Sequence, residues 1–444
     1  MNSKSSNKSS TGGSRRQFLQ TSSVAVAGAT LASSLNIARA AHPLGDDEIK
    51  IGLIGCGGRG TGAAEDALKA PGKSKLVAMG DAFPEFLGEC HKRLSKQFGD
   101  RCDVPKDRQF TGFDAYEKVL ASDANYIILA TPPGFRPIHF EAAINAGKHV
   151  FMEKPVAVDA PGIRRVLAAG EKAKEKGLGV GVGLQRRHDP AYIEAIKRIQ
   201  DGEIGNVLCT RVYWNGGGLW VRNREPDDTE MKYQVRNWYY FNWLCGDHIV
   251  EQHIHNMDVS NWLKGMVPIE AQGQGGREVR RSKACGQIFD HHFVEFTYPD
   301  GSKMISQCRH IPDCWSSVSE HAHGTAGTAD VSKQEFYTPG LNGSIIWKYR
   351  GPTAGAYQQE HVDLQASIRK GEPINETEFG ATSTMTAILG RMATYGGKIV
   401  KWDDAIASDI DLSPKVYAWD AEAPVMPDAD GNYPIAVPGV TRVV

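Results

Sequence analysis

The chain has 444 residues, of which 41% are hydrophobic and 23% are charged, and its 51 basic residues nearly balance its 52 acidic ones. This length suits two or three domains of about 150 residues and provides ample apolar surface to bury. The balanced charge argues against a nucleic-acid-binding protein, which usually carries a strongly basic domain or stripe. No stretch reaches the roughly 18 consecutive apolar residues of a membrane span, so no membrane anchor is expected. The composition therefore indicates a large globular protein, and we expect an enzyme.

The N-terminal segment resembles an export signal. Paired arginines at 15–16 precede a weakly apolar run at 24–35 and an Ala-Arg-Ala cleavage pattern at 38–40. This order is typical of a signal peptide, and the paired arginines resemble the twin-arginine signal, which is recognised by export machinery. A disordered serine-rich tail is the alternative. We predict a twin-arginine signal peptide at 1–40, a linker at 41–47 and a periplasmic location.

A glycine-rich loop follows the first predicted strand, which ends at Ile54. The loop carries the pattern G-x-G-x-x-G at Gly55, Gly57 and Gly60, and a helix-like stretch follows it. The first glycine allows a tight turn, the second lets the backbone approach a pyrophosphate, and the third lets helix and strand pack closely. Phosphates would then lie at the helix N-terminus, where free N–H groups attract anions. We predict a dinucleotide-binding loop that also includes Gly58 and Arg59.

An acidic residue ends the second predicted strand. Asp81 stands 26 positions after Gly55, close to the spacing expected for the acid that binds the adenosine ribose. Its carboxylate can bond both ribose hydroxyls and would repel a 2′-phosphate. The cofactor is therefore predicted to be NAD rather than NADP.

Two further strands are predicted to be buried and parallel. The first leads into Thr131-Pro132-Pro133 and the second into Glu153-Lys154-Pro155. Nearly continuous apolar strands that alternate with helices indicate a doubly wound sheet. Ligands of such sheets bind beyond the carboxyl ends of the strands. We therefore expect Thr131, Pro132, Glu153 and Lys154 to contact the cofactor.

These motifs together resemble the glucose–fructose oxidoreductase, inositol dehydrogenase and rhizopine-catabolism family, the Gfo/Idh/MocA family. The resemblance extends over residues 48 to 402, through matches at 183–190, at 258–265 and at Glu360-His361. The expected fold is α/β, with a Rossmann dinucleotide-binding domain at 48–165. A C-terminal α/β domain with a large open, mostly antiparallel sheet is expected at 166–400, followed by a surface tail at 401–444.

A polar stripe marks a predicted helix in the second domain. At 100° per residue, His248, Glu251, His255, Asp258 and Trp262 fall within an arc of about 80°. Apolar rows border this stripe on both sides, so a pocket explains it better than a solvated face does.

Oxidation of an alcohol requires that a proton leave the hydroxyl group while hydride leaves the carbon. A lysine or histidine suits this transfer near neutral pH, and we assign Lys154 and His255 to it, with Glu251 orienting or balancing them. The resemblance implies the same two catalytic positions, although family members commonly have aspartate where Glu251 stands. Which of the two is the base is left open. Further substrate-binding candidates are Arg187, His248, Asp258 and His361.

The same stripe supports an alternative. His248, Glu251 and His255 have helical metal-ligand spacing, and Asp247 adds a carboxylate. Because nicotinamide chemistry does not need a metal, we predict none.

The leading hypothesis is an exported NAD-dependent oxidoreductase that acts on a sugar, cyclitol or glycoside. Its cofactor would be loaded before export and tightly held, since free NAD is not supplied beyond the membrane. Aromatic residues suited to stacking on a sugar are dense between Trp214 and Gly246, although core packing explains about half of them equally well. The alternatives are glycoside cleavage by oxidation, elimination and re-reduction, or a non-catalytic sugar or nucleotide sensor. A homo-oligomer is also expected.

Overall fold

The computed structural model describes residues 48–340, 342–353 and 355–444. The predicted signal peptide (1–40) and linker (41–47) lie outside the described residues. The described part belongs to one compact unit, Ala40–Val444. Within this part, no helix combines the length and the apolar character needed to cross a membrane.

The first half of the chain alternates strands with helices. Its elements are β1 (Ile49–Ile54), α1 (Gly58–Lys69), β2 (Ser74–Asp81), α2 (Pro84–Phe98), β3 (Gln109–Thr111), α3 (Ala115–Leu120), β4 (Tyr126–Leu129), α4 (Arg136–Asn145), β5 (His149–Met152), α5 (Ala160–Glu175) and β6 (Val180–Val182). The six strands form a parallel sheet in the order β3-β2-β1-β4-β5-β6. Every residue of β4 and β5 is buried, as expected for strands covered by helices on both faces. The predicted Rossmann sheet is confirmed.

The second half builds a larger sheet. Its elements are α6 (Pro190–Gln200), β7 (Val207–Gly216), α7 (Glu230–Arg236), α8 (Asn242–Cys245), α9 (His248–Glu251), α10 (Ile254–Lys264), β8 (Glu270–Gly276), β9 (His291–Thr297), β10 (Lys303–His310), β11 (Ser317–Gly324), β12 (Thr328–Asp330), β13 (Glu335–Tyr337), β14 (Ile345–Lys348), α11 (Ala356–Lys370), α12 (Thr377–Gly396), β15 (Val400–Lys401) and α13 (Trp402–Ala407). The nine strands lie in the order β14-β13-β12-β11-β7-β10-β9-β8-β15, and only the β7–β10 pair is parallel. The mostly antiparallel sheet of the second domain is confirmed.

The boundary between the two sheets lies later than the predicted position at residue 165. Strand β6 pairs with β5 in the first sheet, so this sheet continues to Val182. Helix α11, in the second half of the chain, returns to the same sheet. Its Leu364 and Ile368 belong to the apolar cluster of the first sheet. The first domain therefore includes a late segment that chain order alone does not reveal.

The C-terminal segment packs against both halves of the chain. It begins with β15, which pairs with β8, and continues through α13 into irregular backbone. Arg164 on α5 donates to the carbonyls of Ile406 and Ser408. Further along, the Trp419 ring lies 4.2 Å from that of Phe113, between ring centroids. The tail therefore supports residues near the carboxyl edge of the first sheet.

Candidate active site

The glycine-rich loop has the geometry that its sequence predicts. Gly55 has φ +97°, and a Cβ atom there would lie 2.5 Å from the backbone of Ala130. At Gly60 a Cβ atom would collide with the carbonyl oxygen of Gly55, so only glycine allows α1 to start against β1. Open space surrounds the Cβ positions of Gly57 and Gly58. The first turn of α1 therefore presents its N–H groups to a free space that fits a pyrophosphate.

Asp81 lies at the end of β2, beside this loop. Its Oδ2 accepts the backbone N–H of Cys56 at 2.6 Å, and its Oδ1 accepts that of Phe83 at 2.9 Å. Burial raises the pKa of this carboxyl group, while the two backbone hydrogen bonds oppose the shift. Each oxygen keeps a lone pair that can accept a ribose hydroxyl. The residues present therefore fit the adenosine half of a dinucleotide.

A cleft of about 560 Å³ runs along the carboxyl edge of the first sheet. Its volume falls within the usual range for ligand sites. All twelve residues predicted to bind cofactor or take part in catalysis line it: Gly55, Gly57, Gly58, Arg59, Gly60, Asp81, Thr131, Pro132, Glu153, Lys154, Glu251 and His255. The fold thus brings together two groups that are about 100 residues apart in sequence.

Lys154 and Glu251 form an ion pair within the cleft. Lys154 Nζ donates to Glu251 Oε1 at 2.9 Å and to the Glu251 carbonyl oxygen at 2.6 Å. Their side chains are only 13% and 12% exposed, so the pair is largely shielded from water. An ammonium group has three N–H bonds, so one remains for a ligand. Glu251 has a longer side chain than the aspartate common in the family, and its carboxylate still pairs with Lys154.

His255 is buried in the same cleft. Its ring stacks on Trp214, with centroids 5.9 Å apart and planes inclined by 21°. Burial and then the positive charge of Lys154 lower the pKa of His255 well below its ordinary value. The imidazole is therefore neutral near pH 7 and can accept a proton. Its Nδ1 has no hydrogen-bond partner among the described residues.

Arg59 links the glycine loop to the segment that follows β5 and contains Glu153 and Lys154. Its Nε donates to Glu153 Oε1 at 2.5 Å and its guanidinium group reaches Glu360 Oε1 at 3.3 Å. Although burial opposes the charge, Glu153 and then Glu360 raise the pKa of Arg59. The charge of the Glu153 carboxylate is therefore balanced by Arg59. Arg59 and Glu153 both border the cofactor space while they stabilise each other.

The polar stripe is not one continuous helix, which corrects the sequence prediction. Helix α9 ends at Glu251 and α10 begins at Ile254. Asp247 precedes α9 with φ +74° and accepts hydrogen bonds from the Phe289 N–H and the Tyr395 hydroxyl. At the interruption itself, Gln252 Oε1 lies 2.7 Å from His310 Nε2 and His253 Nε2 lies 2.9 Å from Ser306 Oγ. Helical periodicity cannot foresee these long-range partners.

The four residues predicted to bind substrate do not line the cleft, and each has a structural partner instead. Arg187 makes a bidentate pair with Asp258 at 2.8 to 3.0 Å, and Asp258 also accepts from Ser383. His248 is fully buried and bonds to Asp247 at 2.7 Å. His361 is also fully buried, beside the Tyr126 hydroxyl. Their polarity stabilises the packing between elements.

The metal alternative also changes with the structure. Asp247, His248 and His292 are the described residues close enough to share an ion, whereas Glu251 is paired with Lys154 and His255 stacks on Trp214. The Asp247 carboxylate already accepts hydrogen bonds from four donor groups, so an ion would have to displace some of them. His248 and His292 together hold the pKa of Asp247 well below its usual range despite burial.

Sequence reasoning missed several residues of the cleft. Gln252, Arg222 and Tyr357 line it without belonging to any motif. The aromatic-rich stretch gave a partial signal, because some of its residues line the cleft whereas others are buried in an aromatic core. Trp214, Trp220 and Trp238 line the cleft, and Tyr239, Tyr240 and Trp243 form part of the core.

A dinucleotide cleft with a lysine, a carboxylate and a histidine beyond the carboxyl ends of a parallel sheet defines an NAD-dependent oxidoreductase that acts on CH–OH groups. Residues 49–183 match the oxidoreductase family with the NAD-binding Rossmann fold. The chain belongs to the Gfo/Idh/MocA family of oxidoreductases.

Known relatives support this assignment along most of the chain. An inositol 2-dehydrogenase of Agrobacterium fabrum is 30% identical over 83% of this chain and 99% of its own length. The scyllo-inositol 2-dehydrogenase (NAD(+)) of Bacillus subtilis is 24% identical over 72% of this chain and 77% of its own. The crystal structure of a scyllo-inositol dehydrogenase of Lactobacillus casei, with bound NAD(H) and scyllo-inositol, has a TM-score of 0.61 at 23% identity. The match covers 80% of this chain and 99% of the Lactobacillus casei chain, so the two proteins share the fold.

Proposed function

We propose that this protein oxidises a secondary hydroxyl group of a cyclitol or sugar, with NAD as the hydride acceptor. The observation that carries the proposal is the Lys154–Glu251 pair beside the neutral imidazole of His255, in the cleft that also holds Asp81 and the glycine loop. The names of the inositol dehydrogenase relatives support a polyol substrate. A sugar and a cyclitol present the same chemistry, a ring bearing several hydroxyl groups.

His255 is the better proton acceptor of the two candidates. Lys154 already donates two of its three N–H bonds to Glu251 and can direct the third at the oxygen of the reacting hydroxyl. The positive charge of Lys154 stabilises negative charge that develops on that oxygen. His255 is neutral, so a ring nitrogen without a proton can accept the hydroxyl proton, and the lowered pKa favours release of that proton once the hydride has left. Bound NAD⁺ would supply the acceptor for the hydride that leaves the carbon.

The part of the cleft that the second domain forms suits a polyol ring. Trp214 and Trp238 are half-buried and line the cleft, and Trp220, which also lines it, is 40% exposed. Aromatic faces pack against the C–H face of a sugar ring, while charged groups bind its hydroxyls. These residues lie on the second domain, so substrate would bind between the two sheets.

The proposal is tested by a screen of inositol isomers, aldoses and simple glycosides with the purified protein and NAD. Oxidation of at least one polyol, with equimolar formation of NADH, is the expected result. Net cleavage of a glycoside with no accumulation of NADH would instead favour the oxidation–elimination–re-reduction cycle. Binding of polyols without turnover of any of them would contradict an enzymatic role.

We further propose that the protein is exported and retains its cofactor. The twin-arginine pattern at 15–16 supports export in a folded state, and the absence of a free NAD supply beyond the membrane favours slow cofactor release. Mature protein purified from the periplasm should carry nearly one nicotinamide cofactor per chain after gel filtration. A reporter fused to residues 1–40 should be exported only if both arginines are intact. The homo-oligomer stays a prediction, and light scattering of the mature protein would test it.

A further inference from the structure

The interruption between α9 and α10 places Gln252 in the cleft. In a continuous helix, adjacent residues point 100° apart and would not face one pocket together. Here Glu251 ends α9 and Gln252 follows in the turn, and both line the cleft with His255. The side chain of Gln252 is half-buried, so part of it stays accessible to a ligand.

Hydrogen bonds behind the cleft fix the orientation of the Gln252 amide. Arg280 Nη2 lies 2.7 Å from His310 Nδ1, and His310 Nε2 lies 2.7 Å from Gln252 Oε1. A guanidinium group only donates, so His310 Nδ1 must accept and its proton must sit on Nε2. This Nε2–H then donates to the Gln252 carbonyl oxygen. The Gln252 NH₂ group is therefore the end of the amide left for the cleft.

The surroundings of His310 keep this arrangement in place. His310 is buried between the rings of His248, 4.4 Å away, and Tyr239, 6.1 Å away, between centroids. Burial and then the neighbouring His248 and Arg280 lower its pKa, so the ring is neutral. Arg280 is also buried and donates to the carbonyl of Phe289. The hydrogen-bonded series Arg280–His310–Gln252 thus runs from the interior to the cleft, and at each step the more interior residue donates to the next.

We infer that Gln252 binds substrate by donating a hydrogen bond from its NH₂ group to an oxygen of the polyol, and that His310 positions it. The inference rests on the proposed polyol dehydrogenase function and identifies a specificity determinant of the same site. Because only donors face the ligand, Gln252 selects a hydroxyl or carbonyl oxygen at one ring position. An ammonium group or an unsubstituted carbon there would leave the amide unpaired, which disfavours such ligands.

The test uses the full mature protein with Gln252→Met, which keeps the length of the side chain and removes both hydrogen-bonding ends. The KM for the best polyol should rise about tenfold, with a smaller change in kcat, because a binding hydrogen bond is lost. In the wild type, one monodeoxy analogue of that polyol should show a similar rise. With the Gln252→Met variant, this analogue should have the same KM as the parent polyol, whereas the KM of each other analogue should still exceed that of the parent as it does with the wild type.

His310→Phe is the matched second variant, since it retains a ring in the same space but frees the Gln252 amide to rotate. Its KM should rise by less than that of Gln252→Met, with unchanged NADH affinity measured by fluorescence. Unfolding temperatures identify general loss of structure, which would not produce a penalty restricted to one analogue. KM values within twofold of the wild type for both variants would overturn the role of Gln252 but not the proposed function. A wild type that turns over no polyol would overturn the proposed function, and the role of Gln252 with it.

Discussion

Asp81 is expected to determine the choice between NAD and NADP, and Asp81→Asn tests this with little change in shape. The carboxylate accepts the N–H groups of Cys56 and Phe83, which leaves its outer lone pairs toward the cleft. Asparagine keeps one oxygen acceptor for one of these N–H groups. It replaces the negative oxygen at the other position with a neutral NH₂ group, which leaves the second N–H group without its acceptor but no longer repels a phosphate.

The size of the effect follows from the charges. A 2′-phosphate about 4 Å from the carboxylate, at an effective dielectric constant of about 20, is repelled by about 4 kcal/mol per unit charge. This corresponds to about three orders of magnitude in affinity. The asparagine variant should lose most of this discrimination. Its NAD affinity should fall only about tenfold, because a charge-assisted hydrogen bond to the ribose becomes a neutral one.

The assay compares kcat/KM for NAD and for NADP with one polyol, together with titration of NADH and NADPH fluorescence on cofactor-free protein. Asp81→Ala is the control for the loop, because it also leaves the Cys56 and Phe83 N–H groups without their acceptor. That variant should unfold at a lower temperature than the asparagine variant. A native protein that prefers NADP, or an asparagine variant that still rejects NADP as strongly as the wild type, would refute the reasoning.

Three further predictions concern catalysis, stability and cofactor retention. Lys154→Ala and His255→Ala should each lower kcat by a factor of at least about 10². Both variants should still bind NADH in fluorescence titrations. Near-normal turnover of either variant would remove that residue from the mechanism. The free energy of unfolding should fall as the pH drops below about 6.5, because buried histidines whose folded pKa is lowered to about 3 or 4 take up protons only after unfolding. Each such histidine should lower this free energy by up to about 1.4 kcal/mol per pH unit, as measured by calorimetry. An unfolding temperature equal at pH 5 and pH 7 would contradict this. These histidines are His139, His149, His248 and His253. Trp419→Ala should release bound NAD about tenfold faster in a displacement assay, because the ring supports Phe113 and Phe83 of the cleft wall, and unchanged release would exclude that role.

The dinucleotide half of the site could be predicted because its signals are local. The glycine loop, the acid at the end of β2 and the Glu153-Lys154 pair each follow a strand within a few residues. Parallel sheet geometry then brings the carboxyl ends of the strands to one edge, so sequence order is enough to place them together. His255 and Glu251 needed a further argument, from the family resemblance and from the polar stripe.

The remaining features depend on partners that are far apart in the chain. Arg187, in the stretch at 183–190 that resembles the family, and Asp258, in the polar stripe, were predicted to bind substrate, yet they bond to each other across 71 residues. Similarly, His248 faces Asp247 and not the cleft. A pattern of polarity shows that a polar group must be satisfied, but it does not show whether a ligand or another side chain satisfies it.

The cofactor cleft depends on tertiary packing as much as on the Rossmann motif. One wall is the glycine loop and the strand ends, which any chain with this motif would form. The second domain contributes Trp220 and Arg222. The Arg222 guanidinium lies 5.0 Å from the Trp220 ring and 5.2 Å from the ring of Phe86, on α2 of the first domain, so both domains meet at this part of the cleft. The C-terminal segment supports two aromatic residues of the first domain, Phe83 and Phe113, through Trp419. If the protein retains its cofactor as proposed, the contacts between these elements around the cleft, and not stronger contacts to the phosphates, would account for the slow release.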